Sequence, residues 1–367
     1  MGLLPKTVSS FVVVALFTLL MLWAGLALSI PASLPAPTGQ HVVGRAEFDW
    51  IDDSRLDPIV GPANRELDSF VWYPAKRPGT RPAIYLRDNW LRVSNLGFGS
   101  PVYKGVQTHS WEDAEVAAPG RTGWPVVILS SGIGGLPIEY TSFSEELASQ
   151  GYVVAAAANT WAGPTVVFPD GRIARSRDQH EDPNSRVRVW ADDIGTVLNQ
   201  LAKLNADPRS QFFQKLDLKR VGVAGHSFGG AASAEFCSQD SRCIAGVDMD
   251  GGLYGSVIDA GIKKPFLFLL SEGTPPYWMR IRPDLRRNAE KIHNEAMAGW
   301  QNACSRSPQC RIDVMPGFLH MNFSDLAVLF RPPLAWAHPA LGPVGGVKGL
   351  EIARHKLLDF LNRWVRA

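Results

Sequence analysis

From residue 124 onward, the hydrophobic residues of the chain follow two alternating patterns. Short apolar runs typical of buried strands occupy residues 126–129, 152–158, 220–224, 244–249, 265–270 and 311–315. Between the runs lie segments with apolar residues at helical spacing, such as Phe143 and Leu147. Strands that alternate with helices form βαβ units, whose strands lie parallel in one sheet. The pattern therefore predicts an α/β fold with a mostly parallel central sheet flanked by helices.

Two longer helices are predicted in more detail. Asp182 followed by Pro183 is typical of an N-cap with proline at the first helical position. The helix that follows has an apolar face formed by Trp190, Ile194, Val197, Leu198, Leu201 and Leu204, and this face should lie flat on the sheet. A last helix is predicted at about residues 347–365, with a buried stripe of Leu350, Ala353, Leu357, Leu361 and Trp364.

The N-terminal part of the chain has a different organisation. Residues 40–120 contain short apolar runs separated by turn clusters, for example Phe70 to Tyr73, which Pro74 closes. Such runs predict antiparallel strands and loops. We therefore expect an antiparallel portion ahead of the parallel sheet.

An apolar run from Phe11 to Ile30 lies at the start of the chain and is followed by a Pro-rich stretch. The length of the run, about 30 Å as a helix, favours an uncleaved membrane anchor. The small residues at positions 27 and 29 favour a signal peptide that is cleaved. Lys6 precedes the run, so both interpretations place the rest of the chain outside the cytoplasm. We divide the chain into a signal peptide or anchor at 1–30, a Pro-rich linker at 31–44 and one α/β domain at 45–367.

Composition narrows the class of protein. The chain has 367 residues, of which 46% are hydrophobic, and a formal net charge of +2. A chain this apolar buries a large core, which excludes an intrinsically disordered protein. The near-neutral charge argues against a nucleic-acid partner, which requires a basic surface. The sequence carries no signal for an oligomeric state.

Four cysteines form two pairs of equal spacing, Cys237 with Cys243 and Cys304 with Cys310. Neither pair has the C-x-x-C spacing of a zinc or redox site. Two local disulfides are the preferred interpretation, which suits an oxidising compartment outside the cytoplasm. The alternative is four buried thiols.

The strongest chemical signal is the sequence Gly225-His226-Ser227-Phe228-Gly229, a G-x-S-x-G motif. It lies between a predicted strand and a helix of small residues, which is the context that a nucleophile elbow requires. On such a sharp turn a serine hydroxyl is exposed at the carboxyl edge of the sheet. Ser227 is therefore the candidate nucleophile.

A serine hydroxyl needs a base, which in this type of sheet follows the nucleophile in the chain. Four histidines follow Ser227, at positions 293, 320, 338 and 355. Only His320 comes shortly after a predicted strand, across the turn Pro316-Gly317, at the edge where the site residues converge. His320 is the candidate base.

The acid of the triad has two candidates. Asp250 ends the strand at 244–249, and Glu272 ends the following strand. Many sheets of this kind carry the acid after the later strand, where Glu272 lies, but position alone leaves both open. Asp248, two residues before Asp250, is the second-choice aspartate, and its alternative role is structural.

An oxyanion hole needs two backbone amides, one after the nucleophile and one in the loop after the strand at 126–129. These are the amides of Phe228 and Ile133, the latter in a Gly-rich loop. No histidine or acidic residue shows metal-ligand spacing, so the sequence predicts neither a metal nor another cofactor.

The chain resembles the plasma-type (isoform II) platelet-activating factor acetylhydrolases. The similarity is carried by Trp72-Tyr73-Pro74, Gly97-Phe98-Gly99-Ser100, Gly132-Ile133-Gly134, the motif 225–230, Asp250-Gly251, Ser271-Glu272 and residues 320–325. These stretches span most of the chain after the N-terminal run.

The resemblance implies an α/β-hydrolase fold and secreted enzymes that remove short or oxidised acyl groups from phospholipids without calcium. Carried over by position, it places the nucleophile on Ser227, the base on His320 and the oxyanion amides on Phe228 and Ile133. It favours Asp250 over Glu272 as the acid.

Two features depart from the resemblance. Ser131 stands in the oxyanion loop where the family usually has a histidine. The stretch between Glu272 and Arg311 looks longer than in the family and is predicted to form a cap-like insertion over the pocket. Both departures concern substrate contacts rather than the triad.

The expected function is therefore the hydrolysis of a small carboxylic ester or a phospholipid, with possible contact to a lipid surface. The first alternative is another carboxylesterase or polyester hydrolase with the same catalytic residues. The second is a binding protein on an inherited hydrolase sheet. It is less favoured because the chain offers a candidate for every catalytic role in the expected order.

Overall fold

A computed structural model describes residues 14–16, 18–23, 25–26, 30–93, 102–161, 165–177, 182–272, 284 and 289–366. The stretch Gly97 to Ser100 lies outside these residues, as do residues 273–283 and 285–288 of the predicted cap.

The described strands are β1 Val42–Asp57, β2 Gly61–Ala75, β3 Arg81–Pro82, β4 Ser110–Glu112, β5 Trp124–Ser130, β6 Val153–Ala157, β7 Val166–Val167, β8 Ile173–Ala174, β9 Leu216–His226, β10 Cys243–Met249, β11 Phe266–Ser271 and β12 Cys310–Met315. Ten of them form one sheet in the order β12-β11-β10-β9-β5-β6-β2-β1-β4-β3, while β7 and β8 pair separately. The six strands from β12 to β6 are parallel, and β2 joins them antiparallel. This is the predicted α/β-hydrolase sheet with an antiparallel N-terminal portion.

The described helices cover both faces of the sheet. They are α1 Asp88–Val93, α2 Thr141–Ser149, α3 Pro183–Ala206, α4 Phe228–Gln239, α5 Val257–Ala260, α6 Ala289–Cys304, α7 Leu326–Leu329, α8 Leu334–Ala337 and α9 Gly346–Leu361. Successive residues of β5 point to opposite faces, so Val127 and Leu129 join one apolar cluster while Val126 and Ile128 join the other. The sheet is thus buried on both sides.

The predicted start of α3 agrees with the structure, whereas the predicted end of the last helix does not. Asp182 is the N-cap of α3, and its carboxylate accepts hydrogen bonds from the amides of Asn184 and Ser185. The last helix ends at Leu361, earlier than predicted, and continues as a wider helical turn at Asn362–Arg366. Trp364 on that turn is only partly buried because the helical spacing changes there.

The N-terminal segment packs closely against the domain. Strand β1 begins at Val42, inside the predicted linker. Ahead of it, Thr38 donates two hydrogen bonds to Glu146, and Arg354 donates to the carbonyl of Pro35. This cover, together with the sheet, buries every residue of α2, including its two glutamates. The proposed boundaries of linker and domain stay a prediction.

The apolar N-terminal run is described only in part. Within the described residues, no helix combines the length and the apolar composition that crossing a bilayer requires.

Both predicted disulfides are present. Cys237 pairs with Cys243 and Cys304 with Cys310, each with Cα atoms 5.1 Å apart. The first links the end of α4 to the start of β10, and the second links α6 to β12. The alternative of four buried thiols is wrong.

Candidate active site

Ser227 lies on a sharp turn between β9 and α4. Its φ of 56° falls in the left-handed region, where a residue with a Cβ is strained. Its backbone N–H donates to the carbonyl of Met249 on the neighbouring strand at 2.9 Å, which holds the turn in place. The turn also requires glycine at position 225, because a Cβ there would lie 2.1 Å from the carbonyl oxygen of Gly229. The local sequence therefore forms the strained elbow that presents a nucleophile.

His320 stands beside Ser227, although 93 residues separate them in the chain. Its Nε2 lies 2.9 Å from Ser227 Oγ, and its Nδ1 lies 2.7 Å from Asp250 Oδ2. The three side chains form one hydrogen-bonded line from carboxylate through imidazole to hydroxyl. The sequence-predicted nucleophile, base and first-choice acid are thus brought together.

Asp250 follows β10 and also has a positive φ, 57°. Its Oδ1 accepts a hydrogen bond from the Ser271 amide at 2.7 Å. Burial alone would raise the pKa of Asp250, but the hydrogen bond and charge interaction with His320 and the bonds from Ser271 outweigh it and lower the pKa. The acid is therefore ionised while the imidazole N–H points at it.

Glu272, the alternative acid, lies elsewhere. Its side chain is exposed, and its Oε2 accepts from the amide of Gly317 at 2.6 Å. Gly317 belongs to the turn that precedes His320, so Glu272 supports the segment that carries the candidate base. The carboxylate in contact with the imidazole is that of Asp250.

Asp248 is buried behind the elbow, where Oδ1 accepts from the amide of Gly251 at 2.7 Å. Its other oxygen has no hydrogen-bond partner among the described residues. Burial raises the pKa of Asp248 well above its ordinary value. The side chain lies outside the hydrogen-bonded line from Asp250 through His320 to Ser227.

The two predicted oxyanion amides, those of Phe228 and Ile133, lie at the start of α4 and in the loop after β5. Among the described residues, no acceptor contacts either N–H group. A Cβ built on Gly132 would lie 2.9 Å from Ser227 Cβ, so this loop passes directly beside the nucleophile. Ser131, which departs from the family pattern, is buried, and a Cβ built on Gly229 of the elbow would lie 2.3 Å from the Ser131 carbonyl oxygen.

The segment after His320 is held by groups that sequence reasoning missed. Asp325 is fully buried and accepts hydrogen bonds from the hydroxyls of Tyr85 and Ser142. Its own amide donates to the carbonyl of Glu139. Burial raises the pKa of Asp325 to about 8, although the hydrogen bonds from Ser142 and Tyr85 oppose this shift. The only sequence signal was the position of Asp325 within the stretch 320–325.

This arrangement suits acyl transfer. A hydroxyl, a base within hydrogen-bond distance and an oriented carboxylate are the parts that activate a serine. Backbone amides beside the hydroxyl stabilise the oxygen of a tetrahedral intermediate.

Fold and site geometry together define an α/β-hydrolase of the serine esterase type. Comparison with known sequences then gives the family: the chain matches the platelet-activating factor acetylhydrolase, isoform II, family over residues 33–171 and 190–366 and belongs to it. The predicted family and fold are thereby confirmed, and the protein is a carboxylic ester hydrolase.

Individual relatives agree with this assignment. A probable 1-alkyl-2-acetylglycerophosphocholine esterase from Arthroderma benhamiae is 27% identical over 281 residues, which is 66% of each chain. The platelet-activating factor acetylhydrolase of Bos taurus is 25% identical over 371 residues, covering 90% of this chain and 77% of the bovine protein. A solved ferulic acid esterase from Streptomyces cinnamoneus is 30% identical, with a TM-score of 0.72 over 92% of this chain and 94% of that chain.

Proposed function

We propose that the protein removes a short or oxidised acyl group from a phospholipid, through an acyl-enzyme on Ser227. The observation that carries the proposal is the hydrogen-bonded line Ser227–His320–Asp250, with spacings of 2.9 and 2.7 Å. It lies in a chain whose curated relatives are named acetylhydrolases and a glycerophosphocholine esterase.

In the proposed mechanism His320 Nε2 takes the proton of Ser227 as Oγ attacks the ester carbonyl. The amides of Phe228 and Ile133 stabilise the negative oxygen that forms. The imidazolium gives its proton to the departing alcohol, which leaves an acyl-Ser227 ester. Water, deprotonated by the same imidazole, attacks that ester, and the proton returns to Oγ as the carboxylic acid is released. Asp250 holds the imidazole in the required tautomer throughout.

A second candidate substrate is a carboxylic ester with an aromatic acyl group. The ferulic acid esterase is 30% identical to this chain over most of both proteins. An aromatic acyl ester needs the same catalytic groups and differs only in the pocket that receives it.

We further propose that the enzyme acts outside the cytoplasm, either released after cleavage within 1–30 or tethered by that segment. The two disulfides support an oxidising compartment. A tether would also hold the site close to a lipid surface, where a phospholipid substrate is found.

The decisive experiment combines a Ser227→Ala variant with a substrate panel. Hydrolysis of p-nitrophenyl acetate and labelling by a fluorophosphonate should both be lost in the variant, because no other group replaces Oγ. Ser238→Ala is the matched control, since its hydroxyl lies at the far end of the same helix and binds the carbonyl of Gly261. Retention of most esterase activity by Ser227→Ala would refute the mechanism.

The panel compares a 2-acetyl ether phospholipid, a long-chain diacyl phospholipid, methyl ferulate and a polyester. Preference for the 2-acetyl phospholipid supports the first substrate. Preference for methyl ferulate or the polyester would reject phospholipid deacylation and leave the esterase mechanism intact.

A further inference from the structure

His226, the second residue of the G-x-S-x-G motif, is buried next to the triad but takes no part in it. Its ring centre lies 4.5 Å from that of His320. Its Nε2 lies 2.9 Å from the backbone carbonyl oxygen of His320, and its Nδ1 lies 2.8 Å from the hydroxyl of Tyr140. His226 and Tyr140 are each 2% exposed. Their hydrogen bonds are therefore made without competition from bulk water.

The directions of these hydrogen bonds follow from one group. The His320 carbonyl has no proton, so His226 Nε2 must donate to it. A neutral imidazole then has an acceptor at Nδ1, and the Tyr140 hydroxyl must donate its only proton there. The lone pairs of that hydroxyl are left to accept from the Gly132 amide, whose nitrogen lies 3.2 Å away.

His226 has to stay neutral for this order to hold. Burial, aided by the proximity of His320, lowers the pKa of His226 to about 3. The ring therefore carries a single proton at any pH at which the enzyme would work, and that proton is fixed on Nε2. A charged ring here would also oppose protonation of His320.

The chain of bonds joins two separate parts of the site. One end is Gly132, whose N–H donates to Tyr140, while the next amide along the loop, that of Ile133, has no acceptor among the described residues. The other end is the backbone of His320 itself. The two ends approach Ser227 from different loops, and side chains fixed in this way are how precise sites are usually supported.

We propose that Tyr140 and His226 are positioning residues that couple the oxyanion loop to the segment carrying the base. They fix the Ile133 amide and the His320 imidazole relative to one another, and both relative to Ser227. The inference rests on the proposed catalytic roles of those three groups.

Tyr140→Phe is the first test, because it removes one oxygen and leaves the ring in place. The variant leaves Gly132 N–H without an acceptor and His226 Nδ1 without a donor. A shift of about 1 Å in a reacting group lowers rates by on the order of 10²-fold, so we expect kcat to fall about 10- to 100-fold. KM should change little, because both residues are buried.

Tyr152→Phe is the matched control. It also removes a hydroxyl from a fully buried ring. That hydroxyl donates to Asn362 Oδ1 at 2.9 Å and lies outside the site. The kcat is measured on p-nitrophenyl acetate and divided by the active-site concentration from a fluorophosphonate titration. This division corrects the rate for any loss of folded protein. A merely structural role would therefore leave kcat per active site unchanged.

Two replacements of His226 test the other half of the chain. Glutamine reaches the position of Nε2 and keeps a donor for the His320 carbonyl, whereas asparagine reaches only the position of Nδ1. We expect His226→Asn to lose as much kcat as Tyr140→Phe, and His226→Gln to retain more. In the double variant Tyr140→Phe/His226→Asn the loss should be no larger than in His226→Asn alone, because both residues act as one unit.

The outcomes separate the two proposals. If Tyr140→Phe matches Tyr152→Phe in kcat per site while Ser227 is still labelled, the coupling is wrong and the catalytic assignment stands. If Tyr140→Phe loses activity but the two changes simply multiply in the double variant, the residues act independently and the coupling is again wrong. If the Ser227→Ala variant is still labelled by the fluorophosphonate at the wild-type level, the catalytic assignment itself fails.

Discussion

Replacing Asp250 by asparagine should reverse the direction of hydrogen bonding along the triad. At present Oδ1 accepts from the Ser271 amide and Oδ2 from His320 Nδ1, each at 2.7 Å. Asparagine has one acceptor oxygen, and the Ser271 N–H can only donate, so the side-chain NH₂ is turned toward His320. The His320 ring must then accept at Nδ1 and carry its proton on Nε2. In that tautomer the imidazole faces Ser227 as a donor and is no longer a base.

The size of the effect follows from the tautomer. In a serine protease triad, the same replacement leaves the geometry intact and lowers kcat about 10⁴-fold. We expect a similar loss here, which corresponds to roughly 5 kcal/mol of transition-state stabilisation. Glu272→Gln is the matched control, because glutamine keeps an oxygen for the Gly317 amide that Glu272 binds at 2.6 Å. Its rate should stay within about tenfold of wild type, since only one partly exposed hydrogen bond changes.

The assay is the initial rate of p-nitrophenyl acetate hydrolysis at fixed pH, with a thermal melt of each variant to establish that it is folded. A folded Asp250→Asn protein with more than a tenth of the wild-type rate would refute the tautomer argument. If, in addition, Glu272→Gln were inactive, the role of the acid would pass to Glu272.

Three further predictions concern stability. Burial raises the pKa of Asp248, so the contribution of this residue to stability is fully present only below the unfolded pKa of about 4 and declines as pH rises above it. The Tm of Asp248→Asn minus that of wild type should therefore increase between pH 5 and 8. Parallel curves of Tm against pH would contradict this. Arg65→Ala removes a fully buried guanidinium that is paired with the carboxylates of Asp57 and Asp193. It should lower the free energy of unfolding, measured by urea titration, by about 3–5 kcal/mol, whereas a change below about 1 kcal/mol would show that the ion pairs contribute little. Replacing both Cys237 and Cys243 by alanine opens a short loop and should remove about 2 kcal/mol, and an unchanged urea midpoint would refute that estimate.

The sequence predicted the fold well because its signals are local. The strands are short apolar runs, and Asp182-Pro183 fixes the start of α3 within a single turn. The sharp turn at Ser227 was predictable for the same reason, since strand, turn and helix are contiguous around it. His320 required only one long-range assumption, that side chains at the ends of parallel strands converge.

The remaining parts of the site depend on contacts between distant segments. Tyr140 and His226 are 86 residues apart, and in sequence Tyr140 is simply an aromatic residue before a helix. The acid was ambiguous because Asp250 and Glu272 both end neighbouring strands, and the choice depends on which carboxylate the segment after β12 meets. Likewise nothing in the local sequence indicates that Glu145 and Glu146 are buried, although backbone amides and the N-terminal segment cover them in the structure.

The two strained residues of the site explain how the sheet builds it. Ser227 and Asp250 both have φ near +57°, a conformation that costs about 1–3 kcal/mol for a residue with a side chain. Each is the residue at which the chain turns away from its strand, and each donates its backbone N–H to the strand next in order, Ser227 to Met249 and Asp250 to Leu269. The hydrogen bonds offset part of the strain and tie the position of one catalytic group to the end of the next strand. The geometry of the triad is therefore set by the parallel register of β9, β10 and β11, so a change in strand packing well below the site would still alter the distance between hydroxyl and carboxylate.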